Sequence, residues 1–126
     1  MEELPTIYER LGAENLKLLV DHFYDLVFTD EQLAPLFSIT PKEVIKSKQL
    51  LFLTQFLGGP ALYSELYGHP KMRARHLPHE ITQSKAIAWL QCMNKAVYQL
   101  PIDEQFKKEL FSCFPKMAFH MVNTEG

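Results

Sequence analysis

Apolar residues recur at intervals of three and four along most of the chain, and no alternating run is long enough to predict a strand. One series predicts an amphipathic helix from about Asn15 to Phe28 and comprises Leu16, Leu19, Val20, Phe23, Leu26 and Val27. Helices with a single apolar stripe must bury it against other helices when no sheet is present. The pattern therefore predicts an all-α fold.

Start and stop signals divide the rest of the chain into further helices. The segment TPKE at residues 40 to 43 is typical of a helix start, with Thr40 as the cap, Pro41 as the first helical residue and Glu43 three residues after the cap. This helix is expected to end near Leu57, before GGP at 58 to 60. Thr82 is expected to cap a helix that stops before Pro101. Asp103 is expected to cap a last helix, which Pro115 should kink near its middle.

The exception is the stretch of about 23 residues between Gly58 and Thr82, which is rich in Gly and Pro and leaves room for one or two helical turns. It carries three of the five histidines, with RARHLPHEI at residues 73 to 81. A loop of this length in a compact domain is usually functional or disordered, and the histidines favour function. A zinc site at His76 and His79 is disfavoured because Pro78 separates them and no carboxylate or thiolate cluster lies nearby.

Composition narrows the class of protein. The chain has 126 residues, of which 47% are hydrophobic, so we expect a single domain over residues 1 to 126. A net charge of −2 and the lack of a basic run argue against nucleic acid as a partner. No apolar stretch is long enough for a membrane span and the start MEELPTIYERL is acidic, so a cytoplasmic location is expected. Cys92 and Cys113 are expected to be buried free thiols.

Three polar side chains stand at positions where the helical pattern predicts apolar ones. Gln49 falls on the predicted buried stripe of Ile45, Phe52 and Phe56, and an unpaired buried amide would cost about 1–3 kcal/mol, so we expect it to have partners inside. Tyr24 and Trp89 likewise bring a hydroxyl and an indole N–H to inner faces of their helices. Taken alone, each is better explained as an ordinary core residue with a local partner.

Several motifs in order resemble the group II truncated haemoglobins. They are HFYDLV at 22 to 27, APLF at 34 to 37, KSKQLLFLTQFLGGPALY at 46 to 63, GHPKMRARHLP at 68 to 78 and AWLQCM at 88 to 93. The resemblance covers almost the whole chain. It implies a two-over-two sandwich of helices around haem b, with a mostly irregular segment before the proximal histidine.

The resemblance also implies roles on the iron-binding side. His76 matches the proximal histidine, which binds iron, and neighbouring arginines disfavour its protonated form. Lys48, Tyr63 and Arg75 match positions that contact the haem propionates. His79 departs from the family, which commonly carries an aromatic residue there.

On the ligand side, Tyr24, Gln49 and Trp89 match the family positions that donate hydrogen bonds to the ligand. Dioxygen on ferrous haem gains negative charge, so such donors would stabilise it and slow its release. Ile45 matches the distal gate, where an apolar side chain acts only sterically. The haem-packing positions are Phe23, Phe37, Ile45 and Phe52.

Two functional classes remain open at this point. The first is a haem protein that binds O2, NO and CO at a five-coordinate iron, with redox or detoxification chemistry such as nitric oxide dioxygenation or peroxidase-like turnover. That chemistry would need an external electron-donor reductase. The protein itself could be a monomer or a homodimer. The second class is a cofactor-free helical interaction or sensor module, in which Tyr24, Gln49 and Trp89 form only a buried polar network.

Overall fold

The computed structural model describes residues 4–37, 40–68 and 81–123. Within these ranges the chain is helical and contains no strand, so the all-α prediction is confirmed. The α-helices are α1 (Ile7–Leu11), α2 (Ala13–Val27), α3 (Lys42–Phe56), α4 (Leu62–Tyr67), α5 (Gln83–Tyr98), α6 (Glu104–Phe111) and α7 (Pro115–His120), and a short 3-10 helix spans Ala34–Phe37.

The core forms where α2 packs against α3 and α5. The predicted apolar stripe of α2 is confirmed at Leu16, Leu19 and Val27, which are fully buried. They meet Met93 and Val97 of α5, which are also fully buried. Helices α6 and α7 both pack on α5, so α5 is covered on several sides and α7 closes one edge of the bundle.

Two predicted helix starts are confirmed by their capping hydrogen bonds. The side chain of Thr82 accepts a bond of 3.1 Å from the backbone N–H of Lys85, at the start of α5. The carboxylate of Asp103 accepts a bond of 2.9 Å from the backbone N–H of Phe106, at the start of α6. Each cap satisfies one backbone donor that the first helical turn leaves free.

The predicted cap of α3 is wrong. The helix begins at Lys42, the capping position belongs to Pro41, and no side chain caps it. Pro41 has φ −58° and ψ 138°, so its carbonyl accepts the first helical bond from the N–H of Ile45 at 3.2 Å. Because Pro41 itself is extended, Thr40 stands one residue too early to cap the helix.

Pro115 does not kink a continuous last helix as predicted. Helix α6 ends at Phe111, and Pro115 is the first residue of a separate helix, α7. A proline lacks an N–H donor, and the first helical turn needs none from it. Two short helices therefore replace the expected bent one.

The predicted stripe of α3 is narrower than expected. Ile45 and Phe52 are buried, but Gln49 is partly exposed and Phe56 is exposed.

Both cysteines are free, as predicted, but only Cys92 is buried, and Cys113 is partly exposed. Burial raises the pKa of both thiols, which favours their protonated form.

The start of the irregular segment is fixed against α1. The N–H of Tyr8 donates to the carbonyl of Leu57 at 2.9 Å, and a Cβ on Gly59 would lie 2.6 Å from the Tyr8 ring. Glycine is therefore required at this close approach. In the described part of this segment, the short helix α4 has fewer than two turns; residues 69–80, to which the prediction of one or two turns also applied, lie outside the described residues. No helix in the described ranges is long and apolar enough to cross a membrane.

Candidate functional site

A cavity of about 410 Å³ opens between α2, α3, α5 and α7. This volume falls within the range typical of pockets for small molecules and cofactors. Most of the described side chains around it are apolar or aromatic, with a few polar groups and two lysines. They are Tyr24, Leu33, Leu36, Phe37, Thr40, Ile45, Lys48, Gln49, Phe52, Tyr63, Ile81, Lys85, Ala86, Trp89, Met117, Ala118 and Met121.

Tyr24, Gln49 and Trp89 reach this one cavity from three different helices, α2, α3 and α5. Their polar atoms have no hydrogen-bond partner among the described residues, which overturns the expectation that Gln49 is paired inside the protein. The described residues also contain no polar side-chain atom that is both sealed off and unpartnered. The three donors therefore open onto the cavity, where a ligand or water can accept from them.

Aromatic rings hold two of these donors in position. The Phe23 ring lies 4.9 Å from that of Tyr24 and 5.0 Å from that of Trp89, both edge to face, and the Phe37 ring lies 6.0 Å from that of Tyr24. Phe23 is almost fully buried and stands behind the cavity wall, so it supports Tyr24 and Trp89. Burial raises the pKa of Tyr24 far above its ordinary value, and its phenol stays protonated and able to donate.

Two of the three residues predicted to contact an anionic edge of the cofactor also line the cavity, and the third, Arg75, lies outside the described residues. Tyr63 of α4 is buried, and Lys48 of α3 is exposed, with its Nζ 4.9 Å from the centre of the Tyr67 ring. Lys85 is a second cation at the cavity, which the sequence analysis missed. Its place four residues before Trp89 on α5 puts both on one helix face, and this spacing is the signal that identifies it.

Met117 of α7 and Met121, which follows the last residue of α7, form a further part of the wall that the sequence analysis missed. Met117 and Met121 are four residues apart and both line the cavity. Unbranched thioether side chains adapt to irregular surfaces, which suits the wall of a cofactor site. The sequence signal was weak, because two methionines on or next to a short terminal helix also fit an ordinary core.

The predicted iron ligand His76, together with Arg75 and His79, lies outside the described residues. Among the residues that the structure describes, no group of three His, Cys, Asp or Glu side chains is arranged to hold a metal ion. The described residues therefore form the side of the cavity that carries the hydrogen-bond donors Tyr24, Gln49 and Trp89, together with part of the cavity rim.

Comparison with known proteins agrees with this architecture. The bacterial-like globin family matches residues 6–123. The group 2 truncated haemoglobin YjbI of Bacillus subtilis is 46% identical over 116 residues, which cover 92% of this chain and 87% of that protein.

Solved structures agree over nearly the whole length. The group II truncated haemoglobin of Bacillus anthracis superposes with a TM-score of 0.90 at 41% identity, covering 99% of this chain and 96% of that one. The truncated oxygen-avid haemoglobin of Bacillus subtilis superposes with a TM-score of 0.88 at 44% identity, covering 94% of this chain and 100% of that one.

Proposed function

Because the chain belongs to the group II truncated haemoglobins of the bacterial-like globin family, we propose that it binds haem b in the cavity described above and holds dioxygen there with slow release. Membership in this family implies haem-based oxygen binding. It also favours the haem protein over the cofactor-free helical module. We propose further that the ligands are O2, NO and CO and that the iron is five-coordinate.

The residues around the cavity fit haem. A flat, largely apolar group with an anionic edge needs aromatic and aliphatic walls and a cation at the rim. Phe37 and Phe52 supply rings, Met117 supplies an adaptable wall, and Lys48 and Lys85 supply cations. The three donors, which have no partner among the described residues, supply polar contacts that a purely structural cavity would not need.

Specific residues would hold the group. Lys48 and Tyr63 would contact its carboxylates, Lys48 as a point charge and Tyr63 through its hydroxyl. By resemblance, Arg75 would join them and His76 would bind the iron.

Haem, when bound, supplies an iron centre that binds diatomic gases and exchanges electrons with them. The chain supplies the hydrogen bonds: Tyr24, Gln49 and Trp89 would donate into the cavity, and their lack of partners within the described part of the chain is the observation that carries the proposal. A hydrogen bond to a charged acceptor contributes about 1.5–3 kcal/mol, so two of them would slow release by a factor of about one hundred or more. The likeness to the truncated oxygen-avid haemoglobin of Bacillus subtilis supports this assignment.

Slow release favours redox or detoxification chemistry on the ligand over bulk oxygen delivery. Nitric oxide dioxygenation and peroxidase-like turnover are the reaction classes proposed, and both need an electron donor such as a separate reductase. Ile45 is buried at the cavity wall and has no polar atom, so it would restrict entry sterically. The protein is proposed to act as a monomer or a homodimer.

The absorption spectrum of the reduced protein, first without oxygen and then in air, tests the proposal. A five-coordinate deoxy spectrum that converts to a stable oxygenated one supports it, and His76→Gly should abolish or strongly alter that spectrum. A chain that shows no Soret band after expression with ample haem would refute it.

A further inference from the structure

The described cavity wall contains three aromatic side chains that can lose an electron readily: Tyr24, Trp89 and Tyr63. The rings next to Tyr24 and Trp89 are all phenylalanines, namely Phe23, Phe28, Phe37 and Phe114. Phenylalanine lacks the ring oxygen or nitrogen that makes Tyr and Trp oxidisable. Among the described residues, therefore, only Tyr63 connects the cavity to a second oxidisable ring.

That second ring is Tyr67, one turn further along α4. The two ring centres are 5.0 Å apart and inclined at 44°. Tyr63 is only 5% exposed, whereas Tyr67 is 42% exposed. The pair therefore leads in one step from the cavity wall to the protein surface.

Hydrogen bonds hold α4 in register with α3 and so fix this pair. The Gln55 side chain donates to the hydroxyl of Ser64 at 2.8 Å and accepts from the Ser64 backbone N–H at 2.9 Å. The Phe52 ring of α3 packs edge to face on Tyr63, with ring centres 5.9 Å apart. Electron transfer weakens steeply with distance, so this fixed ring contact favours Tyr67 as the exit.

We propose that Tyr63 and Tyr67 form an electron-transfer pair and that Tyr67 is a surface site where small phenolic donors are oxidised when hydrogen peroxide reacts with the haem-loaded protein. The inference rests on the proposed function, since bound haem is the group that reacts with peroxide. It adds a second site, on the surface, to the cavity in which diatomic ligands bind.

The reaction balances with peroxide as the only oxidant. One hydrogen peroxide takes up two electrons and two protons, its O–O bond breaks, and two waters form. The two electrons pass one at a time through Tyr67. Each small phenol that gives an electron to Tyr67 also loses its hydroxyl proton and becomes a phenoxyl radical. Without a donor, the Tyr67 radicals of two chains join through a carbon–carbon bond, so two tyrosines and one peroxide yield one dityrosine and two waters.

Tyr98 provides a matched control. Its ring is 40% exposed, close to the value for Tyr67, and it also lies under a lysine, with Lys107 Nζ 5.4 Å from its centre. Tyr98 does not line the described cavity, and no aromatic ring contact joins it to the cavity within the described ranges. Exposure alone would make the two tyrosines react alike, whereas a connected pair makes only Tyr67 react.

The test treats the haem-loaded full chain with hydrogen peroxide and measures dityrosine fluorescence and covalent dimer on a denaturing gel, per unit of bound haem. Tyr67→Phe should lose both signals and Tyr98→Phe should keep them. Tyr63→Phe should also reduce them, because Tyr67 is then cut off from the cavity. With a small phenol present, Tyr67→Phe should oxidise it more slowly than Tyr98→Phe does.

The outcomes separate this inference from the proposed function. A normal Soret band together with unchanged cross-linking in Tyr67→Phe would refute the electron-transfer pair alone. Equal losses in Tyr67→Phe and Tyr98→Phe would also refute it, because exposure would then explain the reaction. A chain without a Soret band would refute the haem site and this inference with it.

Discussion

Replacing Tyr24 by phenylalanine removes one hydroxyl and leaves the ring packing in place. The hydroxyl has no partner among the described residues and opens onto the cavity, while the ring keeps its edge-to-face contacts with Phe23 and Phe37. Because no hydrogen bond within the described protein is lost, the free energy of unfolding should change by less than about 1 kcal/mol. The substitution should instead remove a hydrogen bond to the bound ligand.

The size of that loss follows from the acceptor. A hydrogen bond to an acceptor that carries charge contributes about 1.5–3 kcal/mol, so oxygen release from Tyr24→Phe should be faster by a factor of roughly 10 to 140. The assay is stopped-flow displacement of oxygen by excess carbon monoxide. Chemical denaturation of the same samples gives the free energy of unfolding.

Ile45→Ala is the matched control for Tyr24→Phe. Ile45 lines the same cavity but has no polar atom, so its truncation widens the cavity without removing a donor. Ile45→Ala should change the rate of ligand entry more than the rate of oxygen release. If Ile45→Ala speeds release more than Tyr24→Phe does, or if Tyr24→Phe unfolds the protein without changing release, the reasoning about the donors is wrong.

Three further substitutions test the cavity rim, a helix cap and a surface ion pair. Lys48→Met should speed transfer of haem to an acceptor apoprotein, because a cation at the cavity rim is lost; an unchanged transfer rate would remove Lys48 from the site. Asp103→Ala should lower the free energy of unfolding by about 1 kcal/mol in chemical denaturation, since the cap on Phe106 is lost; no change would show that the cap contributes nothing. Arg10 lowers the pKa of Glu109 in the folded state through a hydrogen bond, so this pair stabilises the fold above the ordinary glutamate pKa and less as the pH falls below about 4.3. The stability difference between the unaltered chain and Glu109→Gln should therefore shrink in acid, and a difference independent of pH would contradict this.

Helix boundaries were predictable where one local interaction decides them. Thr82 and Asp103 each follow a break in the pattern and cap the next helix through a bond to a backbone N–H three residues on. Pro41 shows the limit of this reasoning. Its ring fixes φ at a value that both a helical and an extended residue adopt, so only its ψ of 138°, which the sequence does not reveal, moves the helix start to Lys42.

The site was predictable to the extent that a motif describes it. Tyr24, Gln49 and Trp89 were identified through resemblance to the truncated haemoglobins, and the structure places all three at one cavity. The expectation that Gln49 is paired internally was wrong because the rule for buried amides assumes a filled core, and this amide faces a cavity. Lys85 was missed although its spacing from Trp89 places both on one face of α5, and Met117 was missed because its place in the wall depends on how α7 packs.

We propose that three donors from separate helices together hold a polar ligand in the cavity. The most direct test is oxygen release from the triple variant Tyr24→Phe, Gln49→Leu and Trp89→Phe, compared with carbon monoxide release from the same protein. Because bound carbon monoxide carries less charge, oxygen release should be faster by a factor of about one hundred or more, while carbon monoxide release should change little. Equal acceleration for both gases, or an oxygen release rate like that of the unaltered chain, would contradict it.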